Sequence, residues 1–333
     1  MRFAYSETCL AHDTGERHPE TADRLLAIRR ELTRRHGVDF VEPDPAAVGD
    51  IEAVHDPAYI DRFRSFCLDG GGSWDPDTVA VEETWAAAKQ CAGMAKWAAL
   101  TALDGLTDRN TPFALGRPPG HHALSDEAMG FCFINNVAVA AQAAIDAGAD
   151  RVAIIDWDVH HGNGTQEIFE RRADVFYASV HERGLYPGTG AIEEIGDGPG
   201  ERTILNAPLP AGSGDVAYQY VFEHAVVPAI ERFDPALVLV SAGFDAHRYD
   251  PISRMRMSTD GFARLTDLVR SIGEETPIAF VLEGGYGLDT LAEGVGVVHE
   301  SFDGLEVDSP TGEPTDEVRE LVDRLRAGHQ LDE

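Results

Sequence analysis

Short apolar runs recur along the chain, separated by Ala-rich or amphipathic stretches, and this alternation constrains the fold more than any other feature. The runs are RFAY (2–5), PFAL (112–115), RVAIID (151–156), DVFYASV (174–180), TILNAPL (203–209), ALVLVSA (236–242) and PIAFVLE (277–283). A half-wet strand alternates apolar and polar residues, whereas a run that is apolar almost throughout is a strand covered on both faces. The stretches 82–105, 135–148, 215–232, 259–273 and 288–299 read as helices. Strand followed by helix, repeated, predicts an α/β fold with a central, mostly parallel sheet flanked by helices on both faces. No internal repeat or low-complexity linker interrupts residues 1–333, which are read as one domain. A loop-like segment at about 302–313 precedes a surface helix at 314–327.

Five of these strands end in polar or glycine-rich motifs: RPPGHH after 112–115, DWDVHHGNG closing 151–156, SVHERGLYPGTG after 174–180, GFDAH after 236–242 and GGYG after 277–283. The carboxyl edge of an open α/β sheet is where ligands bind. Acids and histidines gathered there therefore mark a site.

Asp156, Asp158 and His160 are spaced i, i+2, i+4, which projects three side chains to one face of an extended segment. A carboxylate and an imidazole two residues apart form a metal clamp, and Asp245 on another strand end supplies a third ligand with a position left open. Two carboxylates and one histidine suit zinc, while ferrous iron or another divalent ion fits the same donors. His121 and His122 are adjacent on a loop and present two imidazoles to one site, poised for proton transfer near neutral pH. Asp156 and Asn163 are their candidate supports, and a carboxylate raises imidazole basicity more than an amide does, so the two rings differ. Tyr286, between glycines, is the candidate phenol donor to an oxyanion.

The charge balance decides partners. There are 58 Asp plus Glu against 27 Lys plus Arg, a formal net charge of −31, and Lys89 and Lys96 are the only lysines. Nucleic acid and anionic membrane are repelled by such a surface, so neither is expected as a direct partner. Self-repulsion on this scale is tolerated where salt screens it, which reads as a halophile's surface. Cys9, Cys67, Cys91 and Cys132 show no paired spacing, and no signal peptide or apolar membrane span is evident, so a cytoplasmic protein is expected.

Together the motifs resemble those of the histone deacetylase superfamily, which includes acetylpolyamine amidohydrolases and acetoin-utilisation proteins. The resemblance covers about residues 10–300 and rests on HPE (18–20) with Arg24, RPPGHHA (117–123), GFCFINN (130–136), IDWDVHHGNGT (155–165), YPGTG (186–190), SAGFDAH (241–247) and EGGYG (283–287). It implies an arginase-like α/β fold and hydrolysis of N-acetyl amides. It also implies zinc held by Asp158, His160 and Asp245. His121 and His122 match the tandem histidines, with Asp156 and Asn163 behind them, and Tyr286 matches the carbonyl-polarising tyrosine. Gly130, Phe131, Tyr186, Ile252 and Gly285 would line the substrate channel, and Arg24 would stand near the acetate exit. A structural potassium ion would be held by Asp156, Asp158, His160, Ser179 and Val180.

Two departures narrow the class: Asn163 replaces the aspartate of class I enzymes, and Tyr186 stands where many members carry phenylalanine. Polyamine-preferring relatives place an acid after the Asp-Pro that follows the third ligand; here the segment is Asp250-Pro251-Ile252. The apolar Ile252 favours acetyl-lysine in protein over an acetylpolyamine or other small acetylated amine. Two other readings are a non-catalytic acetyl-lysine-binding module and an arginase-type ureohydrolase. The ureohydrolase needs a second metal whose ligands GFDAH does not supply.

Overall fold

The computed structural model describes residues 1–105, 111–273 and 276–332. All seven apolar runs are strands: β1 (Arg2–Ala4), β5 (Pro112–Ala114), β6 (Val152–Asp156), β7 (Val175–Glu182), β8 (Ile204–Leu209), β9 (Leu237–Ala242) and β10 (Ile278–Leu282). An eighth strand, β2 (Asp39–Val41), joins them in one sheet of order β2-β1-β5-β10-β9-β6-β7-β8. Each ladder in it is parallel. β6, β9 and β10 are buried at every position, because each strand has a covered layer on either side. A separate two-stranded hairpin, β3 (Gly72–Ser73) with β4 (Val79–Ala80), lies outside the sheet.

The expected helices form α4 (Thr84–Leu103), α5 (Asn136–Asp146), α9 (Thr259–Arg270) and α10 (Leu288–Ser301). Asn135 starts α5 by accepting the Ala138 N–H, and Ser258 starts α9 by accepting that of Gly261. The stretch 215–232 is not one uninterrupted α-helix. It runs as α7 (Asp215–Val221), a wide π turn over Phe222–Val226 and α8 (Val227–Phe233). Pro228 at the start of α8 lacks the N–H that a continuous helix needs, and the wide turn absorbs the defect. The carboxy-terminal helix is α11 (Asp316–Gly328), which starts two residues later than expected because Thr315 caps it. Among the described residues, four α-helices are absent from the sequence expectations: α1 (Asp23–Leu32), α2 (Val48–Glu52), α3 (Pro57–Leu68) and α6 (Asn163–Phe169).

The four cysteines are buried and free, with the sulfurs of Cys9 and Cys91 3.6 Å apart. Register levels the strand ends: Asp156 at the end of β6 lies opposite Ser179 on β7 and Ser241 on β9. The five motif-bearing loops thus leave the sheet at one edge.

Candidate active site

The ladder stops at Asp156, and the chain bends immediately after it. Asp156 Oδ1 accepts the Asp158 N–H at 3.1 Å, and Asp158 Oδ1 accepts the His160 N–H at 2.9 Å. Each acid thereby curls the backbone two residues on, so 156–160 is not the extended segment that the spacing suggested. The consequence is a division of labour. Asp158 and His160 turn toward Asp245, while the Asp156 carboxylate faces His121 instead.

Asp158, His160 and Asp245 present ligand atoms within 4.8 Å of one another, all three residues buried. His160 Nδ1 lies 3.0 Å from Asp158 Oδ1 and 3.2 Å from Asp245 Oδ2. Backbone N–H groups fix both carboxylates: Gly284 donates to Asp158 Oδ2 at 2.8 Å and Val159 to Asp245 Oδ1 at 2.8 Å. A Cβ on Gly243 would collide with the Asp158 carboxylate, and one on Gly284 with both carboxylates. Asp245 Oδ2 is buried and makes no well-directed hydrogen bond among the described residues, its nearest donor being the misaligned His160 Nδ1. Burial, then the neighbouring Asp158, pushes the Asp245 carboxyl up to about 7. A poorly partnered oxygen beside a second carboxylate and an imidazole is the donor set that a divalent cation completes. The residues fit the metal.

The tandem histidines stand beside this triad with ring centroids 4.1 Å apart. His121 Nδ1 faces Asp156 Oδ2 at 3.0 Å, and the Tyr177 hydroxyl donates to the same oxygen at 2.9 Å. His122 Nδ1 donates to Asn163 Oδ1 at 2.8 Å. Burial disfavours charge on both rings, but Asp156 and Asp158 outweigh it at His121 and raise that ring to about 10. At His122 burial acts together with the cationic neighbours His121 and His160, and its pKa falls well below the ordinary histidine value. An amide carbonyl in place of a carboxylate leaves that fall uncompensated.

Glu283 is a site residue that the sequence reading passed over. Fully buried at the end of β10, its Oε2 accepts the N–H groups of Gly120 and His121 at 2.7 and 3.1 Å. Its Oε1 accepts from the Ser241 hydroxyl at 3.0 Å. It pins the backbone of the histidine loop to two strand ends. The signal was available: an acid closing an otherwise apolar strand needs a reason to be there. His55 was missed too. Its Nδ1 donates to the Leu124 carbonyl and its Nε2 accepts the Asn135 N–H, both at 2.9 Å, which fixes it as a neutral spacer beneath the same loop.

Tyr286 follows Glu283 in the loop after β10. The Arg24 guanidinium lies 5.0 Å from its ring centroid. Arg24 donates to the Gly285 carbonyl at 2.7 Å and to the Glu283 carbonyl at 2.5 Å. Behind it, Glu20 bridges Arg24 at 3.0 Å and Arg117 at 2.7 Å, and all three side chains are fully buried. Burial pushes the Glu20 carboxyl up, but Arg117 and Arg24 outweigh it and hold it at about 2.

Phe131 and Tyr186 lie beside Tyr286 and the tandem histidines. Phe131 meets the Tyr286 ring edge-on at 5.9 Å, and Tyr186 meets His122 at 5.2 Å. Gly130 has φ +57°, and a Cβ there would collide with the His122 and Tyr186 rings. Its neighbour Phe131 is also left-handed at φ +70°, held by its N–H bond to the Thr78 hydroxyl at 3.1 Å. His18 supports the Phe131 ring at 4.5 Å, a contact that no sequence spacing reveals. Ile252 is half-buried nearby in chain terms, two residues beyond Asp250. Ser179 and Val180 lie on β7 in the sheet position expected, with the Ser179 hydroxyl 2.9 Å from His181 Nδ1.

Among the described residues, no helix is long and apolar enough to cross a membrane. The family model of the histone deacetylase domain matches residues 18–302. The histone deacetylase-like amidohydrolase of Pseudomonas aeruginosa is 38% identical over 98% of this chain and 95% of its own length. The crystal structure of the HDA15 HD domain superposes with a TM-score of 0.90 at 34% identity, covering 99% of this chain and 96% of that one. The acetylpolyamine aminohydrolase from Burkholderia pseudomallei gives a TM-score of 0.83 at 31% identity, covering 91% and 99%.

Proposed function

The chain belongs to the histone deacetylase family and is a deacetylase, and on that premise we propose that it is a single zinc-dependent domain acting on acetyl-lysine in protein. The observation that carries the reading is the convergence of Asp158, His160 and Asp245 with two differently supported imidazoles at one sheet edge.

Asp158, His160 and Asp245 would hold the zinc, which would supply Lewis acidity to an amide carbonyl and to water. The protein's own residues divide the proton work. Because His122 Nδ1 is committed to the Asn163 carbonyl, its Nε2 carries the lone pair and accepts the proton of the attacking water. His121, held cationic by Asp156, supplies fixed positive charge beside the developing oxyanion. Tyr286 donates its phenol hydrogen to that oxyanion. Protonated His122 then returns its proton to the leaving amine, and acetate departs past Arg24. Gly130, Phe131, Tyr186, Ile252 and Gly285 form the channel that receives the acyl-lysine chain. Asp156, Asp158, His160, Ser179 and Val180 would hold a structural potassium ion, which would stiffen the metal loop.

Ile252, apolar where a counter-charge would recognise a distal ammonium, is what favours acetyl-lysine. The buried unpaired cysteines suit a cytoplasmic setting, and the acidic surface suits a salty one.

A fluorogenic acetyl-lysine peptide, assayed beside acetylspermidine and acetylputrescine with and without chelator and a hydroxamate, tests the reading. Turnover of the peptide that chelator abolishes and added zinc restores is the expected result. Faster turnover of the polyamines would move the substrate to small acetylated amines. Activity indifferent to chelator would remove the metal.

A further inference from the structure

We propose that Asp250 is the positioning residue for Tyr286 and that it ties the phenol to the loop carrying Ile252; this rests on the deacetylase reading above. The peptide bond between Gly285 and Tyr286 is held at both ends. Its carbonyl accepts from Arg24 Nε at 2.7 Å, and its N–H donates to Asp250 Oδ2 at 2.7 Å. A cation and an anion from distant parts of the chain thus grip one peptide plane. Gly285 has φ +118°, a value that glycine tolerates, and so the plane can turn to meet both groups.

A peptide unit is rigid, so fixing its plane fixes the backbone direction from which the Tyr286 side chain departs. The ring is then bracketed by the Arg24 guanidinium at 5.0 Å and the Phe131 ring at 5.9 Å. An oxyanion donor acts only if it already points at the place where charge develops, because reorientation during the reaction forfeits the gain.

Asp250 does more than complete one bond. Its Oδ2 also accepts the Gly287 N–H at 3.1 Å, and its Oδ1 accepts the Ile252 N–H at 3.1 Å. The side chain is buried and touches neither the metal triad nor the histidine pair through any of these bonds. One carboxylate therefore joins the loop on which Tyr249 stands 75% exposed to the backbone of Tyr286.

Asp250→Asn retains the size of the side chain, but whichever way the amide turns, its NH2 group faces a backbone N–H. A kinetic cycle of wild type, Asp250→Asn, Tyr286→Phe and the double variant on the acetyl-lysine peptide tests the proposal. The expected loss in kcat for Asp250→Asn is about 10²-fold, the usual cost of misplacing a catalytic group by about 1 Å. KM and zinc affinity stay unchanged, and the double variant is no slower than Tyr286→Phe alone. Losses that multiply in the double variant, or weakened zinc binding, would overturn the proposal, since Asp250 would then act elsewhere. Asp250→Ser, which keeps a hydroxyl acceptor, is measured in parallel in case the amide variant fails to fold. A crystal structure of either variant reads the Gly285–Tyr286 plane directly, and an unmoved plane also overturns the proposal. A wild type without turnover on any acetylated amine sinks the deacetylase reading instead, and the crystal structure still decides the positioning.

Discussion

The two edges of the same sheet treat charge in opposite ways. At the carboxyl edge, Glu20, Arg24 and Arg117 form a fully buried network, and Asp156, Asp158, Asp245 and Glu283 are buried beside it. At the amino edge the ion pairs are open to solvent. Arg2 pairs with Asp39 at the starts of β1 and β2, Arg172 with Asp174 before β7, and Arg151 with Asp234 before β6 and β9. The chemistry of the pairs is alike, but their surroundings are not. In water an ion pair gains little over two hydrated ions, whereas a buried charge has no alternative partner once its mate is removed. The pairs of the amino edge are therefore exchangeable for water, and the carboxyl edge fixes where groups point.

The largest expected break in this comparison is catalytic. His122→Ala should lower turnover by about two to four decades, the usual worth of one acid–base group, while Arg151→Ala leaves turnover unchanged. Steady-state kinetics on matched preparations decide it, and a His122→Ala enzyme near the wild-type rate would remove the proton assignment. Next in size is stability. Glu20→Gln strands two buried guanidiniums and should cost about 3–5 kcal/mol in denaturant unfolding. A loss comparable to that of a surface pair would show that burial of this network has no energetic consequence. Smallest is Asp39→Ala, which removes the Arg2 pair and is expected to cost at most about 1 kcal/mol at low salt and less at 1 M. The same melts test the acidic surface, because a chain of net charge −31 should gain stability as salt rises. A melting temperature indifferent to salt would sink the halophile reading.

What was legible in the sequence followed the same division. The seven long-range strands announced themselves because a strand buried on both faces leaves an apolar run that little else produces. β2 did not, since DFV is short and stands at the edge of the sheet with its residues partly exposed. α1 was missed because DRLLAIRREL carries five charges and one of them, Arg24, sits in its buried face, against carbonyls contributed by a segment some 260 residues away. Periodicity reports burial of apolar groups, and a buried arginine inverts that signal. The nearness of Asp158, His160 and Asp245 was legible from their places at strand ends, although the assumed extended geometry did not hold, because Asp156 and Asp158 bend their own backbone. Glu283, Asp250, His18 and His55 act through backbone atoms or ring contacts across the fold. Such partners leave no periodic mark.

Phe131 carries a consequence for anyone redesigning the channel. In the proposed channel its ring would be a wall, yet its backbone occupies a conformation that side-chain-bearing residues adopt reluctantly and β-branched ones almost never. Valine or isoleucine, the obvious smaller walls, are thereby barred by the main chain before any question of fit arises. Glycine relieves the backbone but abolishes the wall, so bore and rigidity cannot be tuned separately at this residue, and selectivity is more readily altered from the Tyr186 side.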